Sequence, residues 1–185
     1  MSRVILGVDP GLTRCGIGII KAESSRKISL VHVDTIRTSP EVELSERIGS
    51  LGEAIETLIK KHKPNTIALE RVFAQANVRS VMGVAQISGV VLMLANKYQI
   101  PVQMHTPSEV KAAVTGSGRA EKAQIGSAVT KILGLSEIPK PADSADALAI
   151  AICNAWKNSL AAAGETKLTK AQQAWRDAER VAKRK

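Results

Sequence analysis

Aromatic side chains are almost missing from this 185-residue chain, which has two Trp, one Tyr and one Phe. A core of ordinary size must therefore be built from Val, Ile, Leu and Ala, which suits strands covered by helices. Cysteine is equally scarce, and Cys15 and Cys153 each lie in an apolar run with no Cys or His at metal-ligand spacing. We expect both to be small buried core residues.

Long hydrophobic runs are also missing. The longest apolar stretch, around residues 90–95, is far below the roughly 20 residues that a membrane span needs. The chain starts directly with the strand-like VILGVD and has no basic-then-apolar leader. These two observations predict a cytoplasmic protein without membrane contact.

Acidic residues are outnumbered, with 17 Asp and Glu against 26 Lys and Arg and a net charge of +9. Such an excess favours polyanionic partners, above all nucleic acid, although a merely solubilising charge is the alternative. Residues 157–185 contain eight basic and three acidic residues, a net +5. We therefore predict one domain over 1–156 and a basic, partly helical or disordered tail over 157–185 that touches phosphates or is simply solvated.

The order of the predicted elements indicates an α/β fold. Three strands (4–9, 16–21 and 28–36) come first, and a helix (40–62), a strand (66–70), a long apolar helix (77–98), a strand (102–105) and three helices (after 107, near 121–133 and about 143–156) follow. This order predicts a mixed five-stranded sheet, three antiparallel strands and then two parallel ones, flanked by helices. Catalytic groups in such sheets cluster at the carboxyl ends of adjacent strands.

Two acidic residues stand at predicted strand ends. Asp9 closes the first strand before a Pro-Gly turn, and Glu70 closes the strand over 66–70 on the face opposite its buried apolar side chains. Each has a simpler interpretation: Asp9 as a turn former, and Glu70 as the ion-pair partner of a base such as Arg71. Neither residue alone indicates a function.

Asp143 and Asp146 are more informative because a spacing of three places both carboxylates on one face of a helix. Asp143 could instead be the N-cap of that helix. Asp146 leads into ALAIAI, which has almost no polar face, so its charge needs a cation or a partner. Four such acids supply oxygen ligands for Mg²⁺ or Mn²⁺, and two ions of this kind hydrolyse phosphodiesters. Asp9, near the centre of the sheet, is our choice for the ligand that bridges both ions.

Four segments together resemble the RuvC family of Holliday-junction resolvases: GVDPGLTRCGIGII (7–20), ALERVFAQANVRS (68–80), TGSGRAEKAQIG (115–126) and PADSADALAIAI (141–152). The resemblance covers roughly residues 1–156. It implies a ribonuclease-H-like fold and a homodimer that nicks opposing strands of a four-way DNA junction symmetrically with Mg²⁺, in cooperation with a branch-migration helicase complex. It implies catalytic roles for Asp9, Glu70, Asp143 and Asp146.

The resemblance also implies DNA-binding residues. Phe73 matches an aromatic that stacks on junction bases, and Lys111 and Lys122 match positions that contact DNA or assist catalysis. Arg119 flanks the same Gly-rich loop, whose glycines allow close approach to a phosphate. A core role for Phe73 and solvated roles for the basic residues are the simpler alternatives. Ile17 departs from the family, which often has an aromatic there, and the tail after Trp156 has no counterpart in the resemblance.

Three other functions compete. GVDPGLTRCGIG also resembles the phosphate-binding hairpin of actin-like ATPases and sugar kinases, but those proteins need two such domains and this chain has length for one. A ribonuclease acting on RNA–DNA hybrids or structured RNA would use the same acids. A non-catalytic junction-binding clamp is disfavoured, because acids near a phosphate are unfavourable unless metals bridge them.

Overall fold

The computed structural model describes residues 2–23, 27–71 and 78–163. The elements follow the predicted order: β1 (Arg3–Asp9), β2 (Arg14–Ala22), β3 (Ile28–Arg37), α1 (Leu44–His62), β4 (Thr66–Glu70), α2 (Val78–Lys97), β5 (Val102–His105), α3 (Pro107–Thr115), α4 (Lys122–Leu133) and α5 (Ala142–Ala163).

The five strands form one mixed sheet in the order β3-β2-β1-β4-β5. The strands β1, β2 and β3 pair antiparallel, and β1–β4 and β4–β5 pair parallel. The predicted α/β class, with three antiparallel strands, two parallel strands and flanking helices, is confirmed. Because β1 is the central strand, Asp9 lies at the middle of the carboxyl edge of the sheet, as predicted.

Strand alternation divides the core into two layers. Ile5, Ile20 and Ala68 point to one face and pack against α3, α4 and α5. Their neighbours in the strands, among them Leu6 and Leu69, point to the other face and pack against α1 and α2. Side chains of successive strand residues lie on opposite faces, so the same alternation sends Asp9 and Glu70 to the α5 face. Cys15 and Cys153 are buried free thiols, as predicted.

Three glycines bring α5 unusually close to the sheet. A Cβ on Gly7 would lie 2.2 Å from the Ala147 carbonyl oxygen, and a Cβ on Gly16 would lie 2.1 Å from that of Asp143. Gly18 has a similar close neighbour in α5. Only the missing side chains allow this backbone-to-backbone packing. The helix that carries Asp143 and Asp146 is therefore seated directly on the strand that carries Asp9.

Two helix boundaries differ from the predictions. The first helix begins at Leu44 rather than residue 40, because residues 39–42 form a turn and the Glu43 side chain accepts a hydrogen bond from the Leu44 N–H. The last helix begins at Ala142 and continues beyond Trp156 to Ala163. Asp143 consequently lies inside the first turn of α5 and is not its N-cap. Residues 164–185 of the predicted tail lie outside the described part of the chain.

Candidate active site

The sheet register places two of the predicted acids side by side. Val8 of β1 pairs with Leu69 of β4, so Asp9 and Glu70, one residue further on, end neighbouring parallel strands. Asp9 is also the register partner of Gly16 in β2, and its Cβ would lie 3.2 Å from a Cβ added there. The backbone of Asp143 packs on that same glycine. One sheet edge thus gathers the predicted acids of β1, β4 and α5.

A pocket of about 270 Å³ opens at this edge. Asp9, Glu70 and Asp146 line it together with Lys111 of α3 and Lys122 of α4, and the remaining wall is mainly apolar. The fourth predicted acid, Asp143, lies just outside this pocket and faces the turn between β1 and β2. The pocket combines three carboxylates and two lysines over an apolar floor.

The carboxylates of this pocket hold their protons unusually strongly. Burial, followed by the charges of Glu70, Asp146 and Asp143, raises the pKa of Asp9 from 3.8 to about 7, with Lys122 opposing. Burial and the neighbouring Asp146 raise the pKa of Glu70. Burial also raises the pKa of Asp146, against the opposing effect of Lys122. Like charges confined in a partly buried site produce this effect, and a cation among them would reverse it.

Two basic side chains partly neutralise the acids. The Lys122 Nζ lies 3.6 Å from Asp146 Oδ2, and the Arg14 Nε lies 3.3 Å from Asp143 Oδ2. Both bases are largely exposed, so each ion pair is weak in free energy. No ion pair joins Glu70 to Arg71 in the described residues, and Arg71 is exposed. The structure therefore does not support the simpler interpretation of Glu70 as the ion-pair partner of Arg71.

The chemistry of the donors fits a divalent cation. Every candidate ligand is a carboxylate, the group that hard cations such as Mg²⁺ and Mn²⁺ prefer. Burial first, and then the charge of at least one neighbouring carboxylate, raises the pKa values of Asp9, Glu70 and Asp146. As the side chains stand, no three His, Cys, Asp or Glu in the described ranges are gathered tightly enough to hold a metal. Side-chain rotations toward a cation would be needed to complete the ligand set.

The predicted DNA-binding residues fall in three places. Lys111 and Lys122 line the acidic pocket. Arg119 lies in a separate groove of about 550 Å³ between α3 and α4, which Ser117 and Lys131 also line. Phe73 lies outside the described residues.

Sequence reasoning missed the residues that position α5. Gly16 fixes the approach of Asp143 to Asp9, and Arg14 pairs with Asp143. The alternation of glycine and apolar residues in CGIGII, opposite Gly7, was a signal for a helix packed directly on the sheet. The pairing of Arg14 had no local signal, because its partner is distant in sequence.

A mixed sheet with acids on its central strand, on the neighbouring parallel strand and on a helix packed across them is the arrangement of a ribonuclease-H-like nuclease. The family model for Crossover junction endodeoxyribonuclease RuvC matches residues 5–154. This chain belongs to the RuvC family. It is a hydrolase that cuts DNA, and it depends on divalent metal as members of this family do.

Relatives and solved structures agree. The RuvC of Paenarthrobacter aurescens is 53% identical over 188 residues and covers 100% of both chains, so the match includes residues 157–185. The RuvC of Rhodococcus opacus is 56% identical over 153 residues, 83% of this chain and 81% of its own. Thermus thermophilus RuvC in complex with a Holliday junction substrate has a TM-score of 0.81 and 33% identity, covering 86% of this chain and 96% of that one.

A solved structure of lower sequence identity supports the fold alone. A yeast mitochondrial Holliday junction resolvase has a TM-score of 0.61 at 16% identity and covers 85% of this chain and 80% of its own. Within the described ranges, no helix has the length and hydropathy that crossing a bilayer requires.

Proposed function

We propose that this enzyme resolves Holliday junctions with two Mg²⁺ ions per active site, held by Asp9, Glu70, Asp143 and Asp146, and that Mn²⁺ can substitute. The observation that carries the proposal is the group of acids at one sheet edge, three of which have raised pKa values. The family and the junction complex of the Thermus relative support four-way DNA as the substrate, in recombination and repair. Cleavage of RNA–DNA hybrids and a non-catalytic clamp are less well supported.

Each side chain has a distinct part in the proposed reaction. Asp9, on the central strand, is the proposed bridging ligand, with Glu70 and Asp146 beside it in the pocket. When bound, the two ions would supply an activated water and neutralise the leaving oxygen. Lys122, 3.6 Å from Asp146, can move to the phosphate once a cation replaces it as the partner of that carboxylate. Lys111 lines the same pocket and adds positive charge for the DNA backbone.

Metal binding should depend steeply on pH. The pKa of Asp9 is raised to about 7. Between pH 3.8 and pH 7, the folded protein without metal therefore keeps a proton on Asp9 that the unfolded chain has released. The contribution of Asp9 to stability therefore decreases as the pH rises from about 4 to 7. Bound Mg²⁺ must displace that proton, so its affinity should increase about tenfold per pH unit below 7 and level off above it.

Calorimetric titration with Mg²⁺ at pH 6, 7 and 8, in buffers of different ionisation enthalpy, measures the stoichiometry and the protons released. We expect two ions per protomer, proton release at pH 6 and much less at pH 8. Asp9→Asn should bind fewer ions and lose the pH dependence. A single ion bound with equal affinity at all three pH values would contradict the assignment.

We further propose that the enzyme is a homodimer formed through α2. Met82, Leu92 and Met93 are 58%, 40% and 58% exposed on this helix. Ala85 and Gly89, also exposed, lie between them at helical spacing, so a continuous apolar stripe faces outward. Such a stripe, with the small residue Gly89 near its centre, allows close packing against the α2 helix of a second copy of the chain. The resulting dimer would provide one active site for each of the two opposing DNA strands.

Met93→Lys should convert the dimer into a monomer, because the interface would have to bury an unpaired charge. Light scattering after size exclusion at micromolar concentration measures the mass. We expect paired nicks to become independent single nicks. Val31→Lys, which places the same charge at an exposed position of β3, is the control and should leave the mass unchanged. A dimer that survives Met93→Lys would place the interface elsewhere.

The proposed role of Phe73 rests on the family resemblance alone. Lys111 and Lys122 also line the acidic pocket, and Arg119 flanks the Gly-rich loop. Phe73, Lys111, Arg119 and Lys122 are the proposed DNA contacts. Phe73 would stack on bases at the crossover, worth about 1–3 kcal/mol per base. We also propose a cytoplasmic enzyme that works with a branch-migration helicase complex.

A further inference from the structure

A second groove opens at the carboxyl edge of the sheet. Its volume is about 620 Å³, and the turn after β1, the first turns of α1 and the start of α2 form its walls. Asp143 lines this groove, whereas Asp146, one helical turn later, lines the catalytic pocket. The start of α5 therefore contributes one residue to each cavity.

Arg47 gives this groove a buried positive charge. The residue is 9% exposed, and its guanidinium donates to Thr38 Oγ1 and Thr13 Oγ1, each at 3.0 Å. Within the described ranges no carboxylate forms an ion pair with it. Burying a cation among neutral partners is unfavourable, and an anion placed in the groove would offset that cost.

Arg14 adds a second guanidinium, which is exposed. Its side chain is 58% exposed, and Asp143 is its ion-pair partner at 3.3 Å. Among the described residues that line the groove, Asp143 is also the single carboxylate. Apart from Asp143, the described residues that line the groove contain two guanidiniums and no counter-charge. Planar guanidinium groups match phosphate oxygens in bidentate geometry.

We propose that this Arg14–Arg47 groove binds a backbone phosphate of the cut DNA strand, next to the scissile one. Arg47 supplies a fixed charge, and Arg14 exchanges Asp143 for the phosphate when DNA binds. Because the exposed Arg14–Asp143 ion pair is weak, the phosphate can draw Arg14 away from Asp143 without a metal ion. Only the later use of Asp143 as a metal ligand rests on the proposed function. Arg14 thus holds Asp143 in place before DNA arrives and releases it for the metal afterwards.

Junctions that carry one uncharged methylphosphonate at successive positions of the cut strand test the proposal. Binding is measured without divalent metal and in the Asp146→Asn background, so cleavage and metal affinity do not enter. The variants are Arg14→Gln, Arg47→Gln and the control Lys61→Gln, which removes the same charge from the other end of α1. The salt dependence of binding is measured for each.

A methylphosphonate at one position near the cut should reduce the affinity of the background protein and of Lys61→Gln several-fold. The same replacement should reduce the affinity of Arg14→Gln less, because only the Arg47 contact remains to be lost. The slope of log K against log salt should decrease by about 0.9 for one lost contact in Arg14→Gln. Equal sensitivity of Arg14→Gln and Lys61→Gln at every phosphate would overturn the proposal. If Arg47→Gln does not melt cooperatively, Arg14→Gln, which changes an exposed side chain, decides alone. These binding measurements contain no divalent metal, so their outcome does not depend on whether the active site holds two metal ions.

Discussion

Asp146→Asn should abolish junction cleavage while the protein still binds the junction. The substitution removes one carboxylate ligand from a pocket that already contains Asp9 and Glu70. A bound metal ion stabilises the charge of the transition state by several kcal/mol, and loss of the ion raises the activation free energy by that amount. About 1.4 kcal/mol of activation free energy corresponds to a factor of ten in rate. We therefore expect a rate decrease on the order of 10³-fold or more. Single-turnover cleavage and equilibrium binding of the same labelled junction measure the two effects separately.

Asp34→Asn is the matched control, because it makes the same chemical change at an exposed position of β3. It should cut at the wild-type rate. Asp146→Asn should also melt no lower than wild type without metal, because burial raises the pKa of Asp146 and its charge is unfavourable there. Cleavage by Asp146→Asn within tenfold of wild type would remove this carboxylate from the proposed ligand set.

Gly16→Ala should have a comparably large effect without touching any acid. Its new methyl group would lie 2.1 Å from the Asp143 carbonyl oxygen and 2.8 Å from the carbonyl carbon, and backbone atoms cannot give way as a flexible side chain does. The helix α5 must shift away from the sheet, at a cost of about 1–3 kcal/mol. A displacement of about 1 Å between Asp143 and Asp9 should reduce the cleavage rate roughly 10²-fold.

Gly49→Ala is the control, because Gly49 lies in α1, is exposed and has no heavy atom within 4 Å of an added Cβ. It should raise the free energy of unfolding by about 0.5–1 kcal/mol and leave cleavage unchanged. Denaturant unfolding and cleavage assays on both variants give the comparison. A Gly16→Ala enzyme with wild-type stability and rate would show that α5 tolerates a larger separation from β2.

Local patterns were sufficient to predict most of the fold. Alternation marked the strands, and the spacing of Ile48, Leu51, Ile55 and Leu58 marked α1. The same patterns placed Asp9 and Glu70 at strand ends and Asp143 with Asp146 on one helix face, which is why the acids could be identified. Periodicity works here because burial on one side of each element determines its sequence.

Long-range contacts could not be predicted in this way. Arg47 had the pattern of a solvated charge on an amphipathic helix, yet it is buried against hydroxyl groups from two other segments. The partner of Arg14 is in α5, and only the folded chain brings the two together. The start of α1 was misplaced because Val42 fits the helical spacing but belongs to a turn that Glu43 ends. The environments of Arg47 and Arg14 depend on tertiary contacts between distant segments, whereas the start of α1 depends on a local turn.

The most direct test of the central claim compares three substrates in one assay: a synthetic four-way junction, its linear duplex and an RNA–DNA hybrid, each with Mg²⁺ and with EDTA. Our account predicts symmetric nicks in opposing strands of the junction, no cutting of the other two substrates and no cutting with EDTA. Cutting of the hybrid at the rate of the junction, or cutting that persists in EDTA, would contradict it.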